Sequence, residues 1–369
     1  MLEVSVVIST LYKRPEELAE CLRSIAEQSV KPIEVILING APLREEERKI
    51  ESEIKLLRSR GIAVRRLHLP GSSLPHARNV GAKVARGDVI LFLDDDVVLD
   101  ENYVENLIRT YEEHPNTMGV QGFITNRVSE NNPLARFGLL KFIWWLLQRG
   151  YYEVDEHRQL VSLFEVLPYR LTRTINRESF SGTNMSFRRE VFRHLEFDER
   201  LRKYAVGEDK DFSYRLHRLF PGSLYQTPKA RLVHLEAPAG RLSSWEFEVM
   251  RQVYHLYLFY KLFDNTLPHR LRYAIGRVGD LLLHSILFAT SGFKRENASR
   301  IIYMIEGLAI ATLNRNRIKR GEINFWTERI PHGENNNPGH RRTGVQSGEG
   351  VEPEVPPAKG IHKNQPFGF

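Results

Sequence analysis

A chain of 369 residues with 41% hydrophobic side chains carries enough apolar material for a large α/β domain and an appended element, with no need of disulfides. Cys21 is its single cysteine; spaced helically with Leu18, Leu22 and Ile25, it reads as a buried, inert thiol and suits a reducing compartment. The net charge of +7 is localised: residues 1–240 carry 35 basic and 34 acidic side chains, residues 241–320 carry 13 and 6, and residues 321–369 carry 5 and 6.

In chain order, a β-branched strand is expected over 4–10, then a helix over 15–28 and a buried strand over 33–38 closed by Asn39-Gly40. A charged surface helix over 43–60 follows, with Ile50, Ile54 and Leu57 inward. A strand over 63–69, a helix over 77–85 and a strand over 89–93 complete two β-α-β crossovers, which imply a parallel sheet with helices on its faces. Further on, the pattern predicts a helix over 103–114, a strand over 117–124 and an aromatic-rich amphipathic helix over 132–152. That helix carries Phe137, Phe142, Trp144 and Trp145 beside Arg136, Lys141 and Arg149. Helices are expected over 186–193, 210–219, 243–263, 270–289 and 297–313. From 331 the chain is polar and Gly/Pro-rich, which reads as a disordered tail.

No run reaches the ~18 uninterrupted apolar residues of a spanning helix. Lys141, Arg277, Asp280 and Glu306 break the best candidates, and no signal peptide is expected. The basic, aromatic-interleaved region 241–320 suggests an anionic partner: a membrane surface or a phosphorylated acceptor. No nucleic-acid motif accompanies it. Trp144 and Trp145 suit a headgroup boundary, and a helical lid on the sheet explains them equally well.

The strongest chemical signal is Leu91-Phe92-Leu93-Asp94-Asp95-Asp96, an apolar strand running into three acids at the carboxyl edge of a parallel sheet, where such folds bind ligands. Adjacent carboxylates repel unless they share a cation, and hard ions such as Mg²⁺ or Mn²⁺ take oxygen ligands together with diphosphate oxygens. Acids capping a helix N-terminus are the plainer alternative.

Over about residues 3–260 the chain resembles the family 2 glycosyltransferases. Ala77-Arg78-Asn79, Gly81 and Gly87-Asp88 precede the acids as in that family's block ending in D-x-D, here Asp94 and Asp96. The stretch from Ser181 through Gly182, Asn184 and Arg189 is similar to its "G-x-N-x-x-x-r-r" element, and Phe197-Asp198-Glu199 to its "F-D-E" turn. Glu208-Asp209-Lys210-Asp211 is similar to "E-D-x-D". The resemblance implies metal ligation by Asp94, Asp96 and His234, with donor binding by Thr10, Asn39, Arg78, Asp94, Asp95 and Arg241. It further implies acceptor binding by Gly182 and Asn184, with Asp209 as base and Glu208 orienting it or the acceptor. Helix N-terminal acids and a strand-end capping histidine are the structural alternatives. Where the family pattern has a nucleobase-reading acid after the second strand, Ile38-Asn39-Gly40 stands instead, so uridine recognition is not implied.

The resemblance implies a Rossmann-like, mostly parallel α/β sheet of GT-A type flanked by helices. The expected organisation is a catalytic domain over 1–240, a basic helical extension over 241–330, which is a candidate for membrane association, and the tail over 331–369. The implied activity is inverting sugar transfer from a nucleotide-diphosphate donor to a hydroxyl of a glycan or lipid-linked acceptor, with Mg²⁺ or Mn²⁺. The expected location is the cytoplasm, at the inner face of the cell membrane. A nucleotidyltransferase making nucleotide sugars, or a non-catalytic nucleotide-sugar-binding protein, is the alternative; the first should carry a Gly-rich loop after the first strand, and residues 9–15 contain no glycine.

Overall fold

Short β-branched runs buried along almost their whole length form the centre of the sheet. They are β1 (Val4–Thr10), β2 (Glu34–Asn39) and β4 (Val89–Leu93), with the more exposed β3 (Ala63–His68) at the edge. The structure, a computed structural model, describes residues 1–42, 45–126, 142–143, 145–148, 152–236, 244–290 and 292–329. The four strands run parallel in the order β3-β2-β1-β4. Helices α1 (Pro15–Ala26), α2 (Glu51–Ser59) and α3 (Leu74–Val84) make the crossovers. α3 starts three residues before its expected place because Ser73 caps it and Pro75 presets its first turn. The helix expected over 43–60 is in fact a 3₁₀ segment (Glu45–Ile50) followed by α2.

The second half of the sheet is mixed. β5 (Val97–Leu99), α4 (Tyr103–Glu113) and β6 (Gly119–Ile124) precede a small sheet of β7 (Tyr152–Val154), β8 (Arg158–Gln159) and β9 (Glu165–Arg170). β10 (Ile175–Asn176), β11 (Asn184–Arg188), α5 (Glu208–Leu219) and β12 (Leu224–His234) then return to the main sheet. Its order is β10-β12-β6-β11-β4-β1-β2-β3, with β5 on the end of β12. β11 is antiparallel to both β4 and β6. The expectation of a helix over 186–193 is therefore corrected: 184–188 is a central strand and Arg189–Arg193 a 3₁₀ turn. Met185 and Phe187 pack into one face while Ser186 bonds Val120 O at 2.6 Å on the other, so the run is buried on both sides.

Alternation along the strands divides the core. Val4, Val6, Ile8 and Leu91 face α1, α2 and α4, and Cys21 is buried among them. Val7, Ile38 and Phe92 face Ala77 of α3 and Phe212 of α5. A third cluster joins Leu163, Leu201 and Ala205 to α6 (Ser244–Leu262) and α8 (Arg295–Leu313). In chain order α7 (Leu267–Thr290) stands between these two helices, and α9 (Arg315–Lys319) follows them. Met1–Arg329 make one compact unit. Among the described residues no helix is long and apolar enough to cross a membrane. Most of the expected aromatic helix over 132–152, Arg241 and the tail from 331 lie outside the described residues.

Candidate active site

β4 is apolar and buried up to Leu93, and the chain then leaves the sheet through the three acids. Asp95 and Asp96 are buried and Asp94 is partly exposed. Buried carboxylates need compensation. Arg14, in the turn after β1, donates to Asp95 Oδ1 at 2.5 Å through one nitrogen and to Asp96 Oδ2 through the other. Thr10 Oγ1 donates to Asp95 Oδ2 at 2.6 Å. Burial still pushes Asp95 up to about 6, against the lowering by Arg14 and Thr10.

His234 reaches the acids through strand register. β5 starts directly after Asp96 and pairs antiparallel with the end of β12, placing His234 opposite Val97. Leu235 N–H donates to Asp96 O at 2.9 Å, and His234 Nε2 lies 3.2 Å from Asp96 Oδ1. Asp94, Asp96 and His234 each offer a ligand atom within 4.8 Å of the others. Two carboxylates and an imidazole suit Mn²⁺ or, with more water, Mg²⁺, so the donor set fits the expected ion.

A second acidic pair starts α5. The loop before it is held in left-handed backbone at Lys203 (φ 54°), Ala205 (φ 48°) and Gly207 (φ 87°). Asp209 is partly exposed; its Oδ2 accepts Gly182 N–H at 2.7 Å and its Oδ1 accepts Lys210 N–H at 2.8 Å. Glu208 is buried, its Oε1 bonded by Arg78 and its Oε2 without a hydrogen-bond partner among the described residues. Burial lifts Glu208 to about 8, opposed by Arg78 and reinforced by Asp209. Burial raises Asp209 as well, opposed by Lys210.

Arg78 links the two acidic sets. Besides Glu208 it donates to Gly182 O at 2.9 Å, and its Nη2 lies 3.6 Å from Asp94 Oδ1. β11 pairs Asn184 with Leu93, and Asp94 N–H donates to Thr183 O at 3.1 Å, which fixes Gly182 between the sets. A cleft of about 460 Å³ opens here, walled by Thr10, Asp94, Asp96, His234, Glu208 and Asp209.

Other expected residues are placed differently. Asn184 is fully buried, donating to Tyr103 OH at 3.3 Å and accepting from Gln121 Nε2 at 3.1 Å; Gly182 and Thr183 line the cleft in its stead. Asn39 is buried with Oδ1 accepting Ala41 N–H at 2.8 Å, and its neighbours Ile38 and Gly40 form that wall. Arg14, Phe247 and His255 are among the lining residues that escape the sequence reading. Arg14 adjoins Pro15 in a recognisable turn, yet its reach to acids some eighty positions on has no local signature. Phe247 and His255 sit in α6, where apolar spacing marks only a core helix.

The model of the family described as Glycosyl transferase family 2 matches residues 5–196. The glucosyl-dolichyl phosphate glucuronosyltransferase of Haloferax volcanii is 27% identical over 195 residues, which cover 52% of this chain and 54% of that one. The match thus spans about half the length of that relative. The mannosyltransferase PcManGT from Pyrobaculum calidifontis, solved in complex with GDP-Man and Mn²⁺, superposes over 85% of this chain and 88% of that one. Its TM-score is 0.52 at 13% identity. GalNAc-T7 with UDP, GalNAc and Mn²⁺ covers 73% of this chain and 53% of that one, with a TM-score of 0.50 at 18% identity. At such identities the likeness is one of fold, the GT-A type of helix-flanked α/β sheet expected from the sequence.

Proposed function

The chain belongs to glycosyl transferase family 2, and on that premise we propose that it moves a sugar from a nucleotide-diphosphate donor to an acceptor hydroxyl with inversion. The acceptor in this reading is a glycan or a lipid-linked molecule. The observation that carries the reading is the pair of acidic sets on one cleft, joined through Arg78.

Asp94, Asp96 and His234 are the residues that would hold Mg²⁺ or Mn²⁺, with Asp94 also toward the donor ribose. Such an ion neutralises charge on a departing diphosphate. Asp95, tied to Arg14 and Thr10, positions the acidic turn. An alcohol attacks the anomeric carbon only as its proton is removed. Asp209 is the base: two backbone N–H groups orient it, it lines the cleft while only partly exposed, and its partial desolvation raises its basicity. Glu208 holds Arg78, and through Arg78 the spacing to Asp94. A single base opposite the leaving group gives inversion. The turn after β1 has no glycine to cradle a triphosphate, which disfavours a nucleotidyltransferase, and a poised base disfavours mere sugar binding.

Asp209→Asn is expected to lower kcat by roughly 10²–10⁴-fold while donor Kd changes by less than about twofold. Turnover close to wild type would overturn the base assignment.

A further inference from the structure

α7 is amphipathic in the opposite sense from a helix made for water. Its buried residues are Gly276, Arg277, Gly279 and Asp280. Asp280 accepts from Arg251 Nη1 of α6 at 2.6 Å, and Arg277 bonds His255 Nδ1 at 2.8 Å and Ser162 O at 2.5 Å. Solvent meets the apolar side instead. Leu271, Ile275, Val278 and Leu282, spaced four, three and four apart, are 40–54% exposed, and Leu267 and Ile286 extend the stripe at either end. Ile302 and Ile305 of α8 are also exposed. So are Trp145 and Leu146, one turn from Gln148, whose carbonyl lies against Gly276. A continuous apolar face of this kind calls for an apolar partner.

Charge identifies that partner. Between residues 267 and 295 the sole acid is Asp280, which is buried and paired. Arg270 and Arg272 are exposed at one end of the stripe, and Lys294 and Arg295 beyond the other. A second copy laid on the stripe in either direction would meet basic residues at its ends and no acid within α7 other than the buried Asp280, and Glu306 of α8, exposed beside Ile305, already accepts from Trp245 Nε1 at 2.8 Å. Residues 331–369, polar and Gly/Pro-rich, offer little apolar cover. We propose that this face of α7, with Ile302 and Ile305, rests in the headgroup boundary of an anionic lipid bilayer. α6, against which α7 packs, lines the cleft with Phe247 and His255, and Arg277 bonds that histidine. The acceptor is then a lipid-linked molecule approached from the bilayer, a consequence that rests on the glycosyl-transfer reading.

Flotation of the full chain with vesicles tests the proposal. The wild type floats with phosphatidylcholine vesicles containing phosphatidylglycerol and stays behind with phosphatidylcholine alone. L271E/L282E, at exposed positions and checked for an unchanged Tm, lowers the bound fraction roughly tenfold or more, and R270Q/R272Q lowers it by a similar factor. A wild type that remains soluble with the anionic vesicles, or a double variant that floats equally well, overturns the proposal. So does a wild-type dimer in light scattering that L271E/L282E dissociates. Nucleoside diphosphate binding is measured in parallel by thermal shift without lipid. Binding without flotation removes the membrane proposal alone, whereas flotation without binding removes the catalytic reading alone.

Discussion

His157 accepts the Glu178 N–H at Nδ1 (3.1 Å), and its Nε2 lies 3.6 Å from Glu165 Oε1. A ring that accepts at Nδ1 is neutral. Burial, then Arg177, lowers its pKa from 6.5 to about 4. The folded pKa lies below the unfolded one, so this histidine's contribution is complete above pH ~6.5 and is lost as pH falls toward ~4. The loss amounts to about 3 kcal/mol. Urea unfolding across that range should show the slope in the wild type and a flatter one in His157→Gln; equal slopes would assign the acid sensitivity to another group. Glu165, which bonds Ser179 Oγ at 2.6 Å, and Lys210, beside the proposed base, belong to the same buried network. Protonation of His157 therefore disturbs the ground beneath Asp209.

At the scale of elements, α3 carries Arg78 and lies tight on β1 because residue 81 has no side chain. A Cβ there would run into Val7 Cγ1. Gly81→Ala should therefore push α3 off the strand, cost about 1–3 kcal/mol in unfolding free energy, and lower turnover with it. Full activity at normal stability would show that Arg78 does not depend on this contact. What could be read beforehand follows from the same physics. β1, β2 and β4 declare themselves by short β-branched runs, and α1 and α4 by helical spacing. β11 did not, because five residues buried on both faces have neither period. The acids after β4 were legible as a cluster. The nearness of His234 depends on β5 pairing with β12, and Arg14's grip on Asp95 and Asp96 on a turn packing across the sheet edge. Such long-range pairings leave no trace in local pattern. Asn184 matched a motif, yet strand register turned its amide toward Tyr103 and Gln121.

Over the whole molecule, the basic excess of residues 241–320 was visible as a count, while its arrangement was not. Polar Gly276–Asp280 and apolar Leu271–Leu282 alternate on one helix, and sequence alone does not say which side faces in. The ion pairs of Asp280 and Arg251 decide it. Of the two helices joined through them, α6 also walls the cleft, so the proposed lipid face and the two acidic sets share one frame. The premise beneath all of this is that Asp94, Asp96 and His234 act with a divalent ion on a nucleotide diphosphate. Calorimetric titration of nucleoside diphosphates into wild type and Asp96→Asn, with and without Mn²⁺, tests it directly. Mn²⁺ should tighten wild-type binding by at least roughly tenfold and leave Asp96→Asn near its metal-free affinity. Equal wild-type affinity with and without the ion, or an undiminished Mn²⁺ effect in Asp96→Asn, would contradict it.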